Sequence, residues 1–205
     1  LISTFFGIPL GFYAALKQGT PTDPAIVSLT LILYAMPVFL TAPLLIIIFA
    51  LELGWVPVSG WGGILDKRAI LPAITVGLPG IAVIARLMRA STLDVIGQEF
   101  ITFAKAKGVD RFSINFKHVG RNAILPVVTV LGLSFSGMLG GALIVELIFG
   151  IPGVARFALD AIFSRDYPII MALTLIGTAS LVVANLIVDI LYVFLDPRIK
   201  YTNEN

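Results

Sequence analysis

At residues 103–126 the chain reads FAKAKGVDRFSINFKHVGRNAILP, a polar and basic stretch in an otherwise apolar sequence. The wider segment 86–121 carries seven of the fourteen Lys and Arg residues, and apolar runs of membrane-spanning length flank it on both sides. A compact basic hairpin between two spans offers a surface that another protein can bind. The arrangement indicates a transporter subunit that is driven from outside itself.

The composition predicts a membrane protein. Hydrophobic residues make up 58% of the chain and the mean hydropathy is +1.01, whereas soluble domains are about 45–50% apolar. Since a spanning segment must satisfy its backbone groups internally, we predict an all-α, polytopic transmembrane helical bundle. The chain begins at Leu1 inside an apolar run, so we expect it to be the later part of a longer subunit.

Several classes of chemistry are not indicated. The chain has no Cys and a single histidine, His118, so we expect no disulfide and no metal site. It contains neither a Gly-x4-Gly-Lys-Ser/Thr loop nor a Gly-x-Ser-x-Gly motif, so we expect no bound cofactor and no catalytic residue. A net charge of +2 gives no reason to expect nucleic-acid binding.

The apolar runs predict about five spans, and the distribution of cations predicts their orientation. One set of connections carries ten Lys and Arg residues, including all seven of segment 86–121, and the other set carries four. The positive-inside rule places the first set in the cytoplasm, which leaves segments 52–68 and 146–168 outside. The predicted spans are Leu1–Leu16, Ala25–Leu51, Ala69–Met88, Ile124–Val145 and Ile169–Leu195.

The basic stretch predicts two short amphipathic helices joined by a turn. Phe100, Phe103 and Ala104 share one helical face, Gly108 is typical of a left-handed stop, and Asp110 is typical of the cap of a second helix. In that second helix the apolar positions are Phe112, Phe116 and Val119. The alternative interpretation is an ordinary interfacial loop held by anionic headgroups.

Two further groups of residues carry open alternatives. Gly132, Ser136 and Gly140 lie four apart on the fourth span, and they suit either helix packing or a translocation path that needs room. Glu146, Pro152 and Gly153 begin the second outer segment, as either a solvated loop or an outer gate. Asp189 is an acid inside an apolar run, for which a structural hydrogen bond is the first interpretation.

The basic stretch resembles the cytoplasmic EAA loop of ABC-importer permeases. The general pattern of that loop is Glu-Ala-Ala, three residues, Gly, nine residues and Ile-x-Leu-Pro. When this chain is aligned on Gly108, only the second Ala of the Glu-Ala-Ala triplet is present. The closing motif appears as Ile124-Leu125-Pro126, five residues later than in the pattern. This variant is similar to that of the dipeptide, oligopeptide and nickel permeases. Four other stretches resemble the same branch: LGWVPVSG (53–60), LIVELIFGIPG (143–153), SRDYP (164–168) and NLIVDILYVFLDPR (185–198). The ending DPRIKY (196–201) is similar to the B-type half of a permease pair.

The resemblance implies one permease domain over residues 1–205, multi-pass in a bacterial or archaeal inner membrane, with its coupling loop at 91–122. The implied partners are a second permease subunit forming a heterodimer, two ATPase subunits that bind ATP and Mg²⁺, an extracytoplasmic solute-binding protein, and membrane lipid. Segment 98–118 would contact the ATPase. The implied coupling residues are Phe103, Ala104, Lys105, Gly108, Asp110, Arg111, Phe112 and Phe116.

The resemblance leaves the solute open among dipeptides, longer peptides, nickel chelates, opines and oligosaccharides. The alternative function is an autonomous secondary transporter or channel. Such a protein would need intramembrane charges or broken helices in repeated positions.

Overall fold

The computed structural model describes residues 1–138 and 142–195, and its described residues form helices and turns without a strand. The order is α1 (Ile2–Leu16), α2 (Thr22–Ala35), α3 (Val38–Leu45) continuing as a π-helix (Ile46–Glu52), a 3-10 turn (Lys67–Ala69), α4 (Ile70–Ile96), α5 (Glu99–Ala106), α6 (Arg111–Ser113), a second π-helix (Ile114–Gly120), α7 (Arg121–Ala123), α8 (Leu125–Met138), α9 (Leu143–Phe149), α10 (Val154–Phe163) and α11 (Tyr167–Leu195).

Helix α4 is the centre of the bundle, and α1 lies closest to it. The two helices approach so tightly that a Cβ at Gly11 would overlap the backbone of Ala85. Gly7 faces Ile84 in the same contact, one turn earlier on α1. Small residues at these positions let the helix backbones approach closely, which is how helices associate in membranes.

The span predicted over Ala25–Leu51 is not one straight helix. Helix α2 ends at Ala35, and α3 with its π-helical continuation leaves it at 97°. Pro37 explains the break, because proline lacks the N–H of a helical hydrogen bond and forces the preceding residue out of the helical region. Met36 is accordingly extended, with ψ 116°.

The other predicted spans agree with helices in part. By length and composition, two described helical segments are able to cross a membrane, Lys67–Ile96 and Tyr167–Ile187, and the bent pair would make a third. Helix α4 runs eight residues past the predicted end at Met88. Helix α1 is shorter, and α8 with α9 covers the described parts of the fourth predicted span. The count of about five stays a prediction.

Two hydrophobic clusters form the core, and α4 belongs to both. The first joins α1, α4 and α8 to the basic stretch, through Phe12, Met88, Val127 and their neighbours. The second joins α3, α4 and α9 near the other end, through Ala42, Leu71, Val145 and Phe149.

Candidate functional site

The turn of the basic stretch has the geometry that its sequence predicts. Gly108 has φ +76°, its N–H donates to the Lys105 carbonyl at 3.0 Å, and the Val109 N–H donates to the Ala104 carbonyl at 3.2 Å. The Asp110 carboxylate then accepts a hydrogen bond of 2.8 Å from the Ser113 N–H. The predicted left-handed stop and helix cap are therefore confirmed.

The cap is complete at neutral pH. The hydrogen bond from the Ser113 N–H favours the charged carboxylate and holds the pKa of Asp110 below its usual value. Because the pKa is lower in the folded protein, the cap stabilises the turn at any pH above the unfolded pKa. The stabilisation is lost only as the pH falls through the folded pKa, which is far more acidic than a cytoplasm.

The face of α5 predicted to hold Phe100, Phe103 and Ala104 together is divided in the structure. Ile101 and Ala104 are the buried residues of this helix, and Phe100 and Phe103 are exposed. Phe103 is 62% exposed, and the Lys107 ammonium lies 4.7 Å from its ring centroid. The helical period correctly separates α5 into two faces, but the phenylalanines lie on the side that faces away from the core.

The second half of the stretch is not a regular α-helix. One turn of α6 leads into the π-helix Ile114–Gly120, whose buried residues are Ile114 and Val119. Phe112 and Phe116 are 67% and 54% exposed, and their ring centroids lie 4.6 Å apart. The expected apolar face of Phe112, Phe116 and Val119 is therefore divided, because wider winding turns only Val119 inward.

The two halves expose four phenylalanines, which we call the phenylalanine surface: Phe100, Phe103, Phe112 and Phe116. Lys105 and Arg111 are exposed beside it and line one cavity of about 510 Å³ between the halves. The opposite side, with Ile101, Ala104, Ile114 and Val119, belongs to the first hydrophobic cluster. Large exposed aromatic side chains are enriched at surfaces that bind a protein partner.

Helix α4 makes two polar contacts that the sequence did not predict. The Ser91 hydroxyl donates to the Ala123 carbonyl at 2.8 Å, which ties α4 to α7. Arg89 binds Asp23 of α2 with two hydrogen bonds of 2.6 Å, Nε to Oδ1 and Nη2 to Oδ2. The sequence does indicate that Arg89 needs an acidic partner, because its charge continues an apolar run.

Breaking the Arg89–Asp23 pair is expected to destabilise the fold. Arg89→Gln or Asp23→Asn leaves the remaining charge without its partner, which costs on the order of 2–3 kcal/mol for a pair of this partial exposure. Thermal unfolding of the full-length subunit in detergent measures the loss. The double variant should lose less than the sum of the single variants; additive losses would show that the two side chains do not interact.

Glu146 organises the end of the bundle that the distribution of cations predicts to lie outside. This residue is 7% exposed and lies in α9. Its Oε1 accepts from the Ala142 N–H at 3.3 Å, and its Oε2 accepts from the Arg156 N–H at 2.7 Å. These donors belong to the first turns of α9 and α10, so one carboxylate caps two helices. The interpretation of Glu146 as part of a solvated loop is wrong.

Pro152 and Gly153 hold the connection between these helices close to Glu146. A Cβ at Gly153 would overlap the Glu146 carboxyl group, so glycine is required for this approach. The Gly60 N–H donates to the Phe149 carbonyl at 2.8 Å and fastens segment 52–66 over the same connection. A cavity of about 590 Å³ opens here, lined by Trp61, Gly150, Pro152, Gly153, Arg156, Phe157 and Asp160.

The remaining predicted residues are only partly described. Gly132 is half-buried in α8, a helix that packs against α11, and both helix packing and a translocation path stay predictions for it. Ser136 continues α8, but its side chain lies outside the described part, as does the side chain of Asp189. Gly140 and the ending 196–201 also lie outside the described residues.

Comparison with known proteins assigns the chain to a family. Residues 7–201 match the family described as binding-protein-dependent transport system inner membrane component. The chain belongs to this family of transport permeases. The prediction of a transport component rather than an enzyme is thereby confirmed at the level of the family, and so is the resemblance on which it rested.

This permease-family chain is similar to proteins named for peptide transport. It is 39% identical over 207 residues to the probable peptide ABC transporter permease protein y4tP of Sinorhizobium fredii, covering 98% of the chain and 66% of that relative. It is 40% identical to the oligopeptide transport system permease protein OppB of Haemophilus influenzae, and the match covers 95% of the chain and 64% of that relative. The di/tripeptide permease DppB of Pseudomonas aeruginosa is 36% identical, with 98% and 68% covered.

The match extends over nearly all of this chain but not over all of its relatives. The chain spans 66% and 64% of the length of the first two relatives named above. The phenylalanine surface, the Arg89–Asp23 pair and the double cap of Glu146 all lie within the matched region, residues 7–201.

Proposed function

We propose that this chain belongs to a membrane-spanning permease subunit of an ATP-driven, binding-protein-dependent importer of peptides. The names of the relatives support the permease function and the peptide solute. The proposed location is the inner membrane of a bacterial or archaeal cell, in a heterodimer with a second permease subunit. An extracytoplasmic solute-binding protein would deliver the solute at the end marked by Glu146, Pro152 and Gly153.

In this proposal the phenylalanine surface contacts one of two ATPase subunits, which bind ATP and Mg²⁺. One observation carries the proposal: the basic stretch exposes four phenylalanines, while Ile101, Ala104, Ile114 and Val119 of the same stretch belong to the first hydrophobic cluster. A partner that binds the exposed side therefore moves α1, α4 and α8 through packed side chains, without a flexible linker. ATP binding to the partner would bias the bundle between two arrangements.

Co-purification of the full-length subunit from its native membrane tests the proposal. We expect an ATPase with a phosphate-binding loop to be recovered, identified by mass spectrometry. Phe103→Asp should lower its recovery by about thirtyfold, because a charge replaces an exposed aromatic anchor at the centre of the surface. Asp110→Arg should do the same by removing the cap that shapes the turn.

Phe163→Asp is the matched control, since Phe163 is 77% exposed and lies in the predicted outer segment. This variant should retain the ATPase in full. Recovery of the subunit alone, or only with copies of itself, would contradict the proposal and favour an autonomous transporter or channel. Equal ATPase recovery with Phe103→Asp and Phe163→Asp would contradict the proposed contact surface.

A further inference from the structure

An apolar groove of about 750 Å³ lies between α1, Met88 of α4 and the segment of the second π-helix and α7 that runs from Phe116 to Ile124. Its wall on α1 extends from Ile8 to Leu16, a length of about 12 Å at 1.5 Å per residue. Met88 forms its floor, and Phe116 and Ile124 form the opposite wall. The groove is separate from the double cap of Glu146 and from the cavity beside it.

Tyr13 and Lys17 lie at the Leu16 end of the groove, and a second cation belongs to the opposite wall. Arg121 is exposed and lines the groove directly. Tyr13 lines it as well, and the Lys17 ammonium lies 5.9 Å from the Tyr13 ring centroid. The lining contains no acidic residue. By the distribution of charge along the chain, this end faces the cytoplasm, where anionic lipid headgroups lie and where tyrosine is enriched at the membrane surface.

We propose that this groove is a binding site for one anionic phospholipid of the cytoplasmic leaflet. The phosphate group lies between Arg121 and Lys17, and an acyl chain follows α1 from Leu16 towards Ile8. The site thus differs from the general contact of spans with lipid, because it selects the charge of the headgroup.

Charge complementarity favours a lipid over a protein segment in this groove. An apolar helix would fill the wall formed by Ile8, Met88 and Ile124, but it would leave Arg121 and Lys17 without a counter-charge. An anionic phospholipid matches both the apolar wall and the two cations, because its flexible acyl chain contacts the wall while its headgroup remains at the surface. Phe116 lines the groove and also belongs to the phenylalanine surface. A lipid in the groove would therefore contact one side of the π-helix Ile114–Gly120.

Photolabelling of the full-length subunit in its complex tests this site. The complex is placed in nanodiscs with phosphatidylglycerol or phosphatidylcholine that carries a photoreactive group on the acyl chain, and labelled peptides are mapped. We expect phosphatidylglycerol to label segments 8–16 and 120–124 more than phosphatidylcholine does. Arg121→Gln and Lys17→Gln should each lower this labelling by about fivefold, and Arg121→Lys should preserve most of it.

Lys67→Gln is the matched control, because it removes an exposed cation from the opposite end of α4. Its labelling by phosphatidylglycerol should equal that of the wild type. Equal labelling by both lipids, or labelling unchanged in Arg121→Gln and Lys17→Gln, would overturn the site. A photoreactive side chain at Leu16 that links to a protein segment would also overturn it. These readouts do not depend on ATPase binding, so the site stands or fails separately from the proposed function.

Discussion

Gly108→Pro is expected to abolish solute uptake and solute-stimulated ATP hydrolysis in the assembled importer. Proline fixes φ near −65°, whereas Gly108 has φ +76°. The substitution also removes the hydrogen bond from the Gly108 N–H to Lys105 and disfavours the helical conformation of Lys107. We expect these effects to cost about 3 kcal/mol, enough to rearrange a turn that is exposed to solvent.

The defect should be confined to coupling. The turn lies outside the hydrophobic core, so membrane insertion and the amount of subunit should be unchanged, as a blot of isolated membranes would show. Gly108→Asn is the matched control, because asparagine tolerates the left-handed conformation and a Cβ at Gly108 meets no atom within 4 Å. Uptake should persist with asparagine and vanish with proline. Normal uptake with Gly108→Pro would exclude a coupling role for the turn.

Glu146→Ala is expected to unfold the outer end of the bundle and to lower uptake strongly. The substitution removes the acceptor for both the Ala142 N–H and the Arg156 N–H. A helix cap contributes about 0.5–2 kcal/mol, so the loss of two caps should cost about 2 kcal/mol or more, including the cavity that remains. Thermal unfolding of the full-length subunit and uptake into reconstituted vesicles measure the two effects. Glu146→Gln keeps one acceptor oxygen, and its loss should be intermediate.

Gly153→Ala provides an independent test of the same contact. Its Cβ would displace the Glu146 side chain, so the single variant should resemble Glu146→Ala in both measurements. In the Glu146→Ala background the space is vacant, and Gly153→Ala should then add little further loss. Full additivity of the two substitutions would show that the carboxylate does not hold this connection.

Local chemistry made the turn of the basic stretch predictable. Gly108 and Asp110 act within a few residues of their own positions, through a backbone conformation and a cap that need no distant partner. The orientation of the flanking helices was not predictable from local chemistry. Both faces of α5 carry apolar side chains, so the helical period separates Ile101 from Phe103 but does not say which one meets the core.

Contacts between distant parts of the chain were beyond the sequence pattern. Arg89 and Asp23 are 66 positions apart, and many acids are available to an arginine until the helices are placed. The position of Glu146 was identified, but its role was left open between a solvated loop and a gate because its donors lie on two helices. Pro37 itself indicated a break in the helix, but the length of the apolar run favoured a single span there.

Helix α4 connects the two ends of the molecule as a mechanical lever. Its 27 residues give it a length of about 40 Å, which exceeds the hydrocarbon thickness of about 30 Å. Met88 packs in the cluster under the phenylalanine surface, and Leu71 packs beside Val145 and Phe149 near the Glu146 cap. A tilt of about 5° about one end would displace the other by about 3–4 Å over this length. A small rotation at the phenylalanine surface would therefore be carried along α4 to the connection beside Glu146.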